Sequence, residues 1–184
     1  MSNLYPNRYF DKKEDVPFAV YYKQGYRGII FDIDNTLVPH DAPADEAAIT
    51  FIEHLKKLGF RICLLSNNDE KRVAAFNEPL QVHYIYKAGK PLCKGYLQAM
   101  EVLGTDVTNT LFVGDQIFTD VWGARRTGIF SILLDPINPK EEIQIILKRI
   151  PEKYFKWNYR RKHNLKKGQF DKEAFDRLES GINK

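Results

Sequence analysis

Two aspartates two residues apart, Asp32 and Asp34, close an apolar run that begins at Gly28, and Thr36 follows at the same spacing. Residues i and i+2 of an extended strand project to one side, so the spacing predicts that both carboxylates converge where a sheet ends. Two anions held that close repel each other, and each raises the other's pKa unless a cation lies between them. Donors that are all oxygen favour a hard divalent ion, so the expected cofactor is Mg²⁺.

Three later segments share this design, an apolar run with polar chemistry at its end. Residues 60–65 lead into Ser66-Asn67-Asn68, residues 82–86 into Lys87-Ala88-Gly89-Lys90-Pro91, and residues 110–113 into Gly114-Asp115-Gln116-Ile117-Phe118-Thr119-Asp120. An open parallel sheet binds ligands beyond the carboxyl ends of its strands, near the reversal of strand order. Four strand ends would thus bring an Asp-x-Asp pair, a hydroxyl, an ammonium and a second carboxylate pair to one crevice.

This ordered set resembles the haloacid dehalogenase (HAD) superfamily and, within it, the aspartate-nucleophile phosphatases; the likeness covers residues 25–135. The strings Asp-Asn-Thr-Leu-Val, Ser-Asn-Asn, Lys-Pro and Gly-Asp-Gln-x-x-Thr-Asp-Val are similar to the YqeG family, a subclass IIIA group that includes phosphatidylglycerophosphate phosphatases. One departure is Gly89, which stands before Lys90 where relatives often carry a second basic residue, so local charge is lower here.

The resemblance implies a Mg²⁺-dependent phosphomonoester hydrolase. In it Asp32 is the nucleophile that forms an aspartyl-phosphate, and Asp34 protonates the leaving oxygen before deprotonating water. Asp32, the Asp34 backbone carbonyl and Asp115 would hold the metal. Ser66, with backbone N–H groups near Asn67, would bind phosphoryl oxygens, and Lys90 would balance the anionic charge. Asp120 would orient water at the metal, or Lys90, from behind. Thr36 would fix the first loop beside the substrate. Plainer readings stand next to these: Ser66 as a helix cap, Lys90 as a solvated lysine with Lys87 or Lys94 in its place, and Asp120 as a helix-start carboxylate. His40, His54 and His163 read as loop or surface residues, and His83 as structural. No Ser-His-Asp set stands out.

The elements that must position these groups alternate. Strands are expected at residues 28–33, 60–65, 82–86, 110–113 and 129–134. Helices are expected at 43–58 with a cap near Asp41 or Ala42, at 69–76, at 91–103 closed by Gly104, and at 118–126 stopped by Gly128. Such alternation with short links implies a Rossmann-like, three-layer α/β/α fold with a mainly parallel sheet. No interval between the motifs has room for a cap domain, and capless members of the superfamily act on bulky or macromolecular phosphates.

Three parts follow: an aromatic leader over residues 1–25 expected to pack on the body through a short helix; a phosphatase core over 26–139; and a basic, aromatic helical extension over 140–184. The formal net charge of +4 divides unevenly, with 15 Lys/Arg against 17 Asp/Glu in residues 1–139 and 13 against 7 in residues 140–184. Residues 148–167 carry nine basic side chains and one acid, interleaved with Tyr154, Phe155, Trp157 and Tyr159. That pattern suits an anionic membrane surface, RNA, or a helix packed on the sheet. The family resemblance favours a phospholipid substrate at a membrane surface, ahead of a soluble sugar, nucleotide or phosphoprotein, and ahead of an RNA- or ribosome-binding module. No apolar stretch nears the ~20 residues needed to span a bilayer. The first residues lack a signal-peptide core, and Cys63 and Cys93 suggest no disulfide framework, so a cytoplasmic location is expected.

Overall fold

The computed structural model describes residues 4–138 together with Trp157 and Arg161. The remainder of the extension read over 140–184 lies outside the described residues. Six strands form one sheet: β1 (Arg8–Phe10), β2 (Gly28–Phe31), β3 (Arg61–Leu65), β4 (His83–Ile85), β5 (Thr110–Gly114) and β6 (Phe130–Leu134). Their spatial order is β1-β6-β5-β2-β3-β4, and every neighbouring pair is parallel. Helices α1 (Phe18–Lys23), α2 (Glu46–Lys57), α3 (Glu70–Asn77), α4 (Cys93–Leu103) and α5 (Trp122–Thr127) connect them.

Period-two side-chain alternation explains why both faces are covered. Ile29, Phe31, Ile62, Leu64, Leu111 and Val113 join the core cluster that contains α1, α2 and α3 residues. Ile30, Cys63, Leu65 and Phe112 join the opposite cluster with Tyr96, Ala99 and Met100 of α4 and Ala124 of α5. A strand buried on both faces reads as a continuous apolar run, which is what residues 28–31 display. Full burial of each such side chain stabilises the fold by roughly 1.5–3 kcal/mol.

Three expectations change. First, residues 1–25 include the short helix α1 and also a strand, because Arg8, Tyr9 and Phe10 pair with Ile132, Leu133 and Leu134 at the sheet edge. Second, α2 begins later than expected. Its cap is Asp45, whose carboxylate accepts from Ala48 N at 2.7 Å, while residues 41–44 belong to the loop. Third, the helix expected at 118–126 divides into a π-helical turn (Ile117–Val121) and then α5. The wider turn comes from Val121 N reaching Gln116 O at 3.1 Å, and it carries Asp120 inward to full burial. Inserted π turns of this kind recur at functional sites.

All six strands point the same way, so the loops that follow them open on one edge of the sheet. From β2 the chain proceeds to β3 and β4 on one side, then returns to place β5 and β6 on the other. The reversal lies between β2 and β5, which is where a doubly wound sheet forms its ligand crevice. Among the described residues no helix is long and apolar enough to cross a membrane.

Candidate active site

Asp32 leaves β2 and Asp115 leaves β5 at that reversal. With Asp120 from the π turn they form a buried group in which one carboxylate oxygen from each residue lies within 4.8 Å of the other two. Lys90, from the loop after β4, reaches into this group. Its Nζ donates to Asp32 Oδ1 at 2.6 Å and to Asp120 Oδ1 at 2.8 Å, and it lies 6.0 Å from the Phe112 ring. One ammonium among three buried carboxylates leaves an excess of negative charge where solvent cannot screen it. The donor set is therefore one that a divalent cation fits, since hard ions take carboxylate oxygen.

Burial pushes the Asp32 carboxyl up to about 7, with Lys90 working against the rise and Asp120 adding to it. A cation among the three carboxylates acts in the opposite sense. Burial also works against charge on Lys90, yet Asp120 and Asp32 outweigh it and hold the ammonium above its ordinary range.

Local structure accounts for the tightness of this group. Gly114 ends β5 against Asp120, where an added Cβ would meet Asp120 Oδ2 at 2.6 Å. That oxygen accepts from Gln116 N at 3.0 Å. Tyr96 of α4 donates its hydroxyl to Thr119 O at 2.8 Å and pins the π turn from beneath. Asn67 grips the Lys90 backbone from both ends: Lys90 N donates to Asn67 Oδ1 at 2.7 Å, and Asn67 Nδ2 donates to Lys90 O at 3.2 Å.

The expected convergence of Asp32 and Asp34 takes a different form. Strand β2 ends at Phe31, so the alternation that would aim both side chains together stops before Asp34. The chain then turns through Asn35, at φ 61°, a left-handed conformation that asparagine tolerates. Asp34 consequently faces a separate set of partners. Its Oδ2 accepts from Asn68 Nδ2 at 2.6 Å, and its Oδ1 accepts from Asp41 N at 2.9 Å and Arg72 Nη2 at 3.1 Å. His40 Nδ1 lies 3.9 Å from the same oxygen.

The two aspartates meet instead as walls of one cavity of about 110 Å³, lined by Asp32, Asp34, Asn35, His40, Ser66, Asn67, Asn68, Lys90, Gln116 and Thr119. Ser66 is buried there, and its Oγ accepts from Asn68 N at 3.1 Å. Thr36 is buried under the first loop, with an Oγ1 that has no hydrogen-bond partner, and it borders a neighbouring cavity of about 890 Å³ rather than this one. The motifs assign no role to Asn68, Arg72, Gln116 or Thr119, while His40, expected as a loop or surface residue, is in a loop with its side chain 45% exposed at the rim of the cavity. Asn68 could have been noticed as the second amide after Ser66. Arg72 carries no such signal, because its part depends on how two loops meet.

Comparison with known proteins agrees with this geometry. Residues 39–128 match the model of the haloacid dehalogenase-like hydrolases. The chain is 40% identical over 116 residues to the "Probable phosphatase YqeG" of Bacillus subtilis (strain 168), covering 62% of this chain and 67% of that protein. It is 26% identical over 143 residues to "Phosphatidylglycerophosphate phosphatase 1, chloroplastic/mitochondrial" of Arabidopsis thaliana, covering 71% of this chain and 40% of that longer protein. Among solved structures, an uncharacterised protein from Listeria monocytogenes serotype 4b shares the fold, with a TM-score of 0.52 at 19% identity over 64% of this chain and 84% of its own. Four strand ends meeting at one acidic crevice, and a relative matched over two thirds of its length, identify this chain as a phosphatase of the haloacid dehalogenase superfamily, in the YqeG family.

Proposed function

We propose that this phosphatase hydrolyses phosphomonoesters through an aspartyl-phosphate on Asp32, with Mg²⁺ as its cofactor and phosphatidylglycerophosphate at a membrane surface as its substrate. The observation that carries the chemistry is the Lys90 ammonium held 2.6 Å from Asp32 and 2.8 Å from Asp120 at the floor of a cavity that Asp34 also lines.

In this reading Asp32 Oδ attacks phosphorus while the bond from phosphorus to the ester oxygen breaks, and Asp34 gives its proton to the departing alkoxide. Asp34, now a carboxylate, takes a proton from the water that attacks the acyl phosphate, which returns Asp32 and releases phosphate. Ser66 Oγ and nearby backbone N–H groups offer hydrogen bonds to the phosphoryl oxygens, and Lys90 balances their charge. Asp32, Asp115 and the Asp34 backbone carbonyl would hold Mg²⁺, which when bound neutralises charge on the transferring group. Asp120 keeps Lys90 in place from the far side.

Two features support a lipid substrate: the plant relative's printed activity, and a basic, aromatic stretch over residues 148–167 that suits an anionic surface. The absence of an intervening cap domain between the motifs leaves the crevice accessible to a headgroup. A panel of phosphate esters that includes phosphatidylglycerophosphate in mixed micelles, with Asp32→Asn as the control, tests the assignment. Preferred turnover of the lipid is the expected result. Turnover no better than that of soluble sugar or nucleotide esters would shift the substrate to the soluble class, and salt-sensitive RNA binding without vesicle binding would turn the extension toward nucleic acid.

A further inference from the structure

Asp34 is gripped by two side chains, Asn68 and Arg72, to which the motifs assign no role, and the grip is specific at the level of single oxygens. A carboxylate offers two acceptor sites on each oxygen. Asp34 Oδ1 uses both, accepting from Asp41 N at 2.9 Å and from Arg72 Nη2 at 3.1 Å. Asp34 Oδ2 accepts from Asn68 Nδ2 at 2.6 Å, which leaves one site on that atom. The geometry points to Arg72 and Asn68 as positioning residues that present Asp34 Oδ2 as the atom that gives and takes the proton at the outer side of the cavity.

The two clamping residues are themselves fixed. Arg72 Nη2 also donates to Ala42 O at 2.7 Å, and its guanidinium lies 5.4 Å from the Phe76 ring one turn along α3. The helix is capped by Asp69, whose Oδ1 accepts from Arg72 N at 2.9 Å. Asn68 N donates to Ser66 Oγ, and Asn68 O accepts from Lys87 N at 2.8 Å. The clamp therefore joins the loop after β2 to the loops after β3 and β4.

Direction follows from exposure. The Asp32 and Lys90 side chains are 8% and 4% exposed, whereas His40 and Asp41, beside Asp34, are 45% and 72% exposed. A phosphoryl group attacked in line by Asp32 has its leaving oxygen on the far side, toward the opening where Asp34 stands. Proton transfer requires a heavy-atom approach of about 2.6–3.2 Å, so a carboxylate free to rotate would lose much of its effect.

The inference rests on the reading of Asp34 as acid and base, and the test separates the two. With Mg²⁺ present, release of the leaving group in a single turnover is followed for p-nitrophenyl phosphate, whose phenolate departs without a proton, and for an alkyl phosphate such as glycerol 3-phosphate, whose alkoxide needs one. Asp34→Asn is expected to slow the alkyl ester far more than the aryl ester. Arg72→Gln is expected to show the same selectivity, about 10- to 100-fold on the alkyl ester and under about threefold on the aryl ester, within the roughly 10²–10⁴-fold that a positioned proton donor supplies. Arg72→Lys should recover part of the loss. Placed on Asp34→Asn, Arg72→Gln should add nothing further to the alkyl defect, as expected when two residues act through one group. If Arg72→Gln does not fold, Asn68→Ala should reproduce the selectivity through loss of the Oδ2 contact. Equal slowing of both esters by these variants, or a full additional loss in the Asp34→Asn background, would overturn the clamp and leave Asp34's role intact. No selectivity in Asp34→Asn itself would remove the acid–base reading, and the clamp with it.

Discussion

Asp32 and Asp34 are two residues apart and sit in opposite kinds of surroundings. Asp32 lies on the floor of the site, where burial is nearly complete and its partners are an ammonium and two further carboxylates. Asp34 lies at the wall, partly open, and accepts its hydrogen bonds from nitrogen donors. The dividing point is the end of β2 at Phe31, after which the backbone turns at Asn35 and sends the second carboxylate toward α3. The lesson is that two chemically identical groups are placed in different electrostatic environments, which is what the proposed division into a nucleophile and an acid–base partner requires. Floor and wall should therefore fail differently when altered.

The largest contrast concerns the aspartates. Asp32→Asn is expected to abolish Mg²⁺-dependent phosphate release from an aryl phosphate, by roughly 10⁴-fold or more, if Asp32 is the nucleophile as proposed. Asp34→Asn should also stop steady turnover, but at the second step, with the aryl leaving group released once per enzyme. Rapid-quench measurement of the first turnover distinguishes the two, and a full burst in Asp32→Asn would break the comparison.

Lys90→Met comes next. Removing one partner of a buried charge cluster costs about 3–5 kcal/mol, and here three carboxylates would remain without their ammonium. Urea unfolding should show that loss, and saturating divalent cation should restore part of it because a bound cation stabilises the folded state alone. A change in stability of under about 1 kcal/mol would mean that the floor does not depend on Lys90. At the wall, Arg72 and Asp34 are 18% and 13% exposed, so solvent screening should make the corresponding Arg72→Gln penalty smaller.

Gly114→Ala sharpens the comparison through the backbone. The added methyl would press on Asp120 Oδ2, so Asp120 must withdraw from Lys90. Loss of apparent divalent-cation affinity by about tenfold is expected, in the range typical of disturbing groups behind metal ligands. Titration of activity against metal concentration provides the check. Asn67→Ala should have a milder effect, about 1–3 kcal/mol of stability, because it leaves the Lys90 N–H and carbonyl unsatisfied at a site partly shielded from water.

Much of the floor is legible in the amino-acid sequence. Asp32, Lys90 and Asp115 each come soon after a short apolar run that reads as a strand, and strand ends in a parallel sheet share one edge. The strands at 28–31, 61–65, 110–114 and 130–134 fall where apolar continuity placed them. The wall was not legible in the same way. The spacing of Asp32 and Asp34 promises convergence only while the strand lasts, and nothing in the residue types announces that β2 stops at Phe31. Arg72 lies on an ordinary amphipathic helix, and its reach to Asp34 and Ala42 depends on the path of the 34–45 loop. Strand β1 was hidden for a different reason: three residues in an aromatic segment give too short a pattern to separate from a packed leader. The π turn at Ile117–Val121 was likewise read as plain helix, since one extra residue in a turn leaves the period almost unchanged.

The central claim is that Asp32 carries the phosphoryl group. Asp34→Asn incubated with an aryl phosphate and Mg²⁺, quenched in acid and digested, should yield a peptide spanning residues 28–41 with a phosphoryl group on Asp32, in an amount equal to the leaving group released. Stoichiometric leaving-group release with Asp32 unmodified, or with the phosphoryl group on another side chain, would contradict the account.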